Sequence, residues 1–183
     1  MLFYLIKKKV TIICLILILL LGGLFRFYRM EILGTFRGDQ AIELTGARQI
    51  LSGKLTLIGI KTSTSEVRNG AVMYYLLAPV LYLFHYDPVA GGVLQSILSL
   101  ATIVVVFLIF HHFKHDRAGL IASFLGASSP LLMQYSRQTL LAYFPLFFNA
   151  LALYIFYLLA KKYSNLTTWF LGFVIGVAMQ VHY

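Results

Sequence analysis

The sequence predicts an all-α integral membrane protein with about five membrane-spanning helices and a long outer loop carrying juxtamembrane helices. Three observations predict it. Of 183 residues, 60% are hydrophobic and 11% charged, against about 25% charged in an ordinary soluble domain. Several apolar runs approach or exceed the roughly 20 residues that a hydrocarbon core demands. The formal charge of +9 comes from 15 Lys and Arg against 6 acids. Such an excess around apolar runs meets anionic lipid headgroups, so the expected partner is membrane lipid and not nucleic acid. Cys14, the only cysteine, lies inside an apolar run, which excludes a disulfide framework and a cysteine-based metal site. No internal repeat or low-complexity segment is visible.

The first span is read over about 10–28. Lys7, Lys8 and Lys9 precede it, and no small-x-small cleavage site follows, so it reads as an uncleaved signal anchor with a cytoplasmic N-terminus. Residues 29–88 form the outer loop. Within it, residues 71–84 make an uncharged run that is short for a span, broken by Pro79 and rich in tyrosine. Counting basic residues decides its placement. If the run crosses, four Lys and Arg lie inside against eleven outside; if it lies in the interface, seven lie inside against eight outside. The second count agrees better with the positive-inside rule, so 71–84 is read as an interfacial helix. The remaining spans are read over about 89–110, 118–135, 140–160 and 166–183, all in a single membrane domain. This arrangement places the protein in the cell membrane as a multi-pass chain, with 134–139 outside and 111–117 and 161–165 inside.

The outer loop is long enough to be functional. From Asp39 to Leu51 the apolar residues Ala41, Ile42, Leu44, Ala47, Ile50 and Leu51 recur at near-helical spacing, and Gly53 suits the end of that helix. Asp39 and Glu43 are four apart and share a face. Asp39 follows Gly38 and opens the helix, so its plainer reading is a cap. Glu43 reads most plainly as a helix-face acid paired with a basic neighbour.

The run Phe36-Arg-Gly-Asp-Gln-Ala41, then Ala47-Arg-Gln-Ile-Leu-Ser-Gly53, Leu57-Ile-Gly59, Thr62-Ser63, Asn69-Gly-Ala-Val-Met-Tyr-Tyr-Leu-Leu-Ala-Pro79 and Asp87-Pro88 resembles glycosyltransferase family 39. This is the bacterial branch related to protein mannosyltransferases and aminoarabinose transferases. Tyr135-Ser-Arg137 and Gln180-Val-His-Tyr183 continue the likeness, which covers nearly the whole chain. The resemblance implies a GT-C membrane fold and a bacterial plasma-membrane location. It implies a donor sugar on a polyprenyl phosphate bound from the outer side, and an acceptor that is a lipid, glycan or protein. It places the catalytic acid/base at Asp39 and makes 71–84 a juxtamembrane helix. Two positions depart from the family. Gln40 stands where many members have a glutamate, and Ala142 stands where many have a second aspartate that helps hold a divalent ion. A divalent cation is therefore the one cofactor in question, and no residue is assigned as its ligand. Members carry further spans and usually a soluble C-terminal part, so 1–183 is expected to be the N-terminal portion of a longer protein, or to be completed by a subunit.

Transfer from a phosphate donor needs a base for the acceptor hydroxyl and a cation for the leaving phosphate. Asp39 is the candidate base. Arg137, at a span end on the same outer side, is the leading phosphate ligand, because guanidinium holds phosphate by paired hydrogen bonds. Its plainer reading is snorkelling. Glu43, Lys61, Arg68 and His182 complete the candidate substrate-binding set, with Lys54 weaker still. His111, His112 and His115 look like a metal cluster but fall at the cytoplasmic end beside Lys114 and Asp116. Asn165-Leu-Thr167 is a sequon that faces the cytoplasm here. Two alternatives stand beside the enzyme. A transporter or flippase subunit would carry charges mid-span, whereas 89–110 and 140–160 hold none. A non-catalytic remnant or subunit is favoured by the missing second acid and the length.

Overall fold

The computed structural model describes residues 2–36, 38–61, 68–139 and 141–181. Helix α1 (Leu2–Phe27) ends where Arg29 adopts a left-handed conformation, φ 48°, that turns the chain into the single turn α2 (Met30–Leu33). Helix α3 (Gly38–Leu51) stops at Gly53, whose φ of 84° suits glycine. Strands β1 (Ile58–Lys61) and β2 (Arg68–Gly70) pair antiparallel, with Ile58 opposite Gly70 and Lys61 opposite Arg68. Helices α4 (Val72–Leu83) and α5 (Val89–His112) follow, and Asp87 Oδ1 accepts from Val89 N at 2.8 Å to open α5. Then come α6 (Asp116–Ser128), α7 (Pro130–Ser136), a 3₁₀ turn over Leu141–Tyr143, α8 (Pro145–Lys161) and α9 (Asn165–Val181).

The architecture is helical, with three differences from the sequence reading. The hairpin β1–β2 interrupts the all-α loop. Its strands are short and carry Gly59 and Gly70, so neither shows the alternation that marks a strand in sequence. Second, the run over 118–135 is two helices. Pro130 has no N–H and biases Ser129 towards extended backbone, so α6 ends at Ser128 and α7 restarts with Ser129 Oγ accepting from Leu132 N. Third, α8 starts later than 140, because the chain first makes the 3₁₀ turn and then uses Pro145 as an opening residue. Among the described residues two helices are long and apolar enough to cross a membrane, Lys9–Phe27 and Val89–His112; Val72–Leu83, Pro145–Lys161 and Asn165–Val181 are shorter apolar helices.

Helix α5 is central, packing on α1, α4, α6, α7 and α8. The densest core lies at its N-terminal end. There Leu44 and Ala47 of α3, Met73, Leu77, Ala78 and Leu81 of α4, Ala90 of α5, Phe144 and Val181 form one buried cluster. At the other end of the bundle α5 turns into α6 and α8 into α9. Tyr157 of α8 reaches the carbonyl of His112 there, at 3.4 Å. The segment between α1 and α5 thus folds onto the ends of α5 and α9.

Candidate functional site

At the loop end a cleft of about 370 Å³ opens between the α2 turn, the start of α3, the start of α5 and the residue that follows α7. Its polar lining is Glu31, Thr35, Gln40, Asp87 and Arg137. Its volume lies within the range of about 300–1,000 Å³ typical of small-molecule sites. Close backbone approach makes the cleft's floor. A Cβ at Gly92 would stand 2.7 Å from the Arg137 carbonyl oxygen and 3.1 Å from Met30 Sδ, so only glycine lets these segments meet.

Arg137 is half-buried and lines the cleft. Its Nε donates to the Arg26 carbonyl at 3.3 Å and its Nη2 to the Phe25 carbonyl. Those carbonyls belong to the last turn of α1, where the helix runs out of its own N–H donors and a cation is favourable. Its neighbours in the Tyr135-Ser-Arg137 run have packing roles. Tyr135 stacks on Tyr143 with ring centroids 4.0 Å apart, and the Ser136 carbonyl accepts from Ser96 Oγ at 2.8 Å.

Gln40, read in sequence as a departure, is a buried clip. Its Nε2 donates to the Thr35 carbonyl at 2.7 Å and its Oε1 accepts from Thr139 N at 3.4 Å. It thereby joins the loop before α3 to the segment after α7. Asp39, one residue earlier, is exposed on the first turn of α3 and is not itself part of the cleft wall.

Glu43 differs from its sequence reading. It is 1% exposed, and among the described residues neither carboxylate oxygen has a hydrogen-bond partner. Burial first, and then the charge of Asp39, push its carboxyl up to about 7. The buried face of α3 runs through Gln40, Glu43, Leu44 and Ala47, so a helical turn of polar residues is packed inward. Against this face lies Tyr74. A Cβ at Gly46 would stand 2.5 Å from Tyr74 Cζ, which is why glycine is required there. Burial, followed by the nearby Glu43, raises the Tyr74 hydroxyl to about 12, with Arg68 opposing. Lys61 and Arg68 are exposed on the hairpin, away from the cleft wall. His182 lies outside the described residues.

Of the five sequence candidates among the described residues, then, Arg137 alone lines the cleft, with Asp39 next to a lining residue. Glu31 and Thr35 were not singled out because nothing in their spacing marks them. Asp87 and Gln40 stood within the family-like runs and were the available signals. Ala142, at the position of the family's second acid, is exposed and offers no ligand atom. Among the described residues no three His, Cys, Asp or Glu side chains come together to hold a metal. At the opposite end His111 Nδ1 and Asp116 Oδ1 are 2.8 Å apart, and the His112 ring meets Tyr154 and Tyr157 edge-on.

Comparison with known proteins supplies the family. A model of dolichyl-phosphate-mannose-protein mannosyltransferases matches residues 69–183, more than half of the chain, and begins at the buried Asn69 of β2. Neither the curated proteins nor the solved structures gave a match. The matched region contains Asp87, Gly92 and Arg137 of the cleft, while the lining from α2 and the start of α3, with Asp39 and Glu43, lies before it. The chain belongs to the dolichyl-phosphate-mannose-protein mannosyltransferase family, a family of GT-C membrane glycosyltransferases.

Proposed function

We propose that the protein transfers a sugar from a polyprenyl-phosphate donor to an acceptor hydroxyl on the extracytoplasmic side of the membrane. Glycosyltransferases of its family generally use such donors. The observation that carries the reading is the meeting of Arg137 and the start of α3 at one cleft, with the exposed Asp39 carboxylate one residue from Gln40 in its wall. In the membrane the apolar helices α1, α5, α6–α7, α8 and α9 form five spans, with α4 lying in the outer interface. That topology puts the cleft, Asp39 and Arg137 on the outer face.

The chemistry follows from the residue types. Asp39 takes the proton of the acceptor hydroxyl. The acceptor oxygen bonds to the anomeric carbon as the bond from that carbon to the phosphate oxygen breaks. The electron pair leaves on the polyprenyl phosphate, and the guanidinium of Arg137 holds the added charge. Glu31 and Asp87 offer acceptors for sugar hydroxyls, while Gln40 holds the wall behind them.

Asp39→Asn tests the assignment, because asparagine caps a helix about as well as aspartate but is no base. Release of polyprenyl phosphate from labelled polyprenyl-phosphate hexoses should fall by roughly 10²-fold or more, with normal membrane levels. Glu43→Gln is the control and should lose far less. Near-normal turnover by Asp39→Asn would return Asp39 to a capping role.

A further inference from the structure

We propose that Arg26 is a positioning residue that holds the end of α6, and through the α6–α7 junction Arg137, against the last turn of α1. This rests on the reading that Arg137 binds the donor's phosphate. The starting point is Pro130. In a continuous helix the N–H of residue 130 would serve the carbonyl of Gly126, and proline has none. In a bilayer no water replaces it, so the freed carbonyls need a protein donor. Arg26 supplies it. Its Nη2 donates to the Gly126 carbonyl and its Nη1 to the Ala127 carbonyl, each at 3.1 Å. Nη1 also donates to the Gly22 carbonyl at 3.1 Å, and Nε to Ser99 Oγ at 3.1 Å. The side chain is fully buried. A planar fork that bridges two successive carbonyls and a third helix is a task for guanidinium and not for ammonium.

The second tie is at the far end of α7. Arg137 follows Ser136 and donates back to the carbonyls of Phe25 and of Arg26 itself. The break at Pro130 is thus tied to one turn of α1 on both sides: Arg26 holds the last turn of α6, at Gly126 and Ala127, and Arg137 holds the far end of α7, after Ser136. Releasing the first tie frees the end of α6, and with it the α6–α7 junction, and lets the Arg137 guanidinium leave its place in the cleft wall.

The experiment uses the full chain in lipid nanodiscs and two probes, undecaprenyl phosphate and the uncharged undecaprenol. Arg26→Lys should weaken undecaprenyl phosphate binding roughly tenfold, about one lost well-placed charged contact, and leave undecaprenol binding unchanged. Pro130→Ala returns the N–H at 130 and frees Ser129 from its extended bias. In that background Arg26→Lys should cost markedly less affinity, and this double variant decides the matter if Arg26→Lys alone does not fold. Equal losses for both probes, or no recovery with Pro130→Ala, would overturn the positioning role. So would unchanged phosphate affinity in Arg26→Lys while Arg137→Ala loses it. Unchanged affinity in Arg137→Ala would instead remove the phosphate reading on which the proposal rests.

Discussion

The two ends of the bundle treat polar groups in opposite ways. At the turns of residues 112–116 and 161–165 the side chains of His112, Phe113, Lys114, His115, Lys161 and Lys162 are exposed, and charge is left to solvent. At the loop end Gln40, Glu43, Asn69, Gln138 and Thr139 are all buried, and oxygens of Glu43, Asn69, Gln138 and Thr139 have no partner among the described residues. Burying a polar atom without a hydrogen bond costs about 1–3 kcal/mol by mutational data. An end that needed only to close a helix pair would avoid that cost, as the opposite end does. The loop end tolerates it beside a cleft, and offsets it with the nine-residue apolar cluster around Phe144. Local rules fail beside the cleft, and hold where the chain merely turns.

The comparison is broken most directly at that cluster. Phe144 is fully buried, whereas Phe113 at the opposite turn is 51% exposed. Phe144→Ala should lower stability by about 3–5 kcal/mol, while Phe113→Ala should cost under about 1 kcal/mol. Thermal unfolding in detergent reads both. Equal losses would mean that the loop end is not the stability centre.

Glu43 sharpens the same contrast through pH. Its carboxyl is raised from 4.5 to about 7 by burial and then by Asp39. Between those values the folded protein keeps a proton that the unfolded chain has released. Stability from this group is therefore fully present below about 4.5 and is lost as pH rises through about 7. Glu43→Gln mimics the neutral carboxyl. It should match the wild type at pH 4 and exceed it at pH 8, by on the order of 1–3 kcal/mol. A difference that does not vary with pH would show that Glu43 finds a compensating cation when it ionises.

How much of this was legible follows from where each determinant sits in the chain. Near-helical spacing from Asp39 to Leu51 is a local signal, and α3 covers Gly38–Leu51. The uncharged tyrosine-rich run at 71–84 becomes α4, Val72–Leu83, for the same reason. What was hidden depends on distant partners. Arg26 reads as one charge inside an apolar run, and its task is set by Pro130 about a hundred residues later. Glu43 reads as a surface acid because four-residue spacing cannot tell which face of α3 meets Tyr74. Arg137 was legible as a cation at a span end, but its hold on the carbonyls of α1 was not.

The smallest effect is expected at the opposite end, in the pair of His111 and Asp116. The two atoms are 2.8 Å apart, and the side chains are 47% and 31% exposed. The geometry alone resembles a strong ion pair. Exposure decides against that, because water and salt screen charges at such a surface, and exposed pairs typically contribute about 0–1 kcal/mol. Asp116 also lies in the first turn of α6, where a carboxylate gains about 0.3–1 kcal/mol from the helix N-terminus at low salt. Asp116→Asn removes both charge effects while keeping the side chain's size and hydrogen-bonding oxygen. Its cost should stay under about 1 kcal/mol and shrink further in high salt. A larger cost that persists in high salt would mean that this turn, too, holds its charges in a desolvated setting. The two ends would then differ in degree only, and burial of polar groups would no longer single out the cleft.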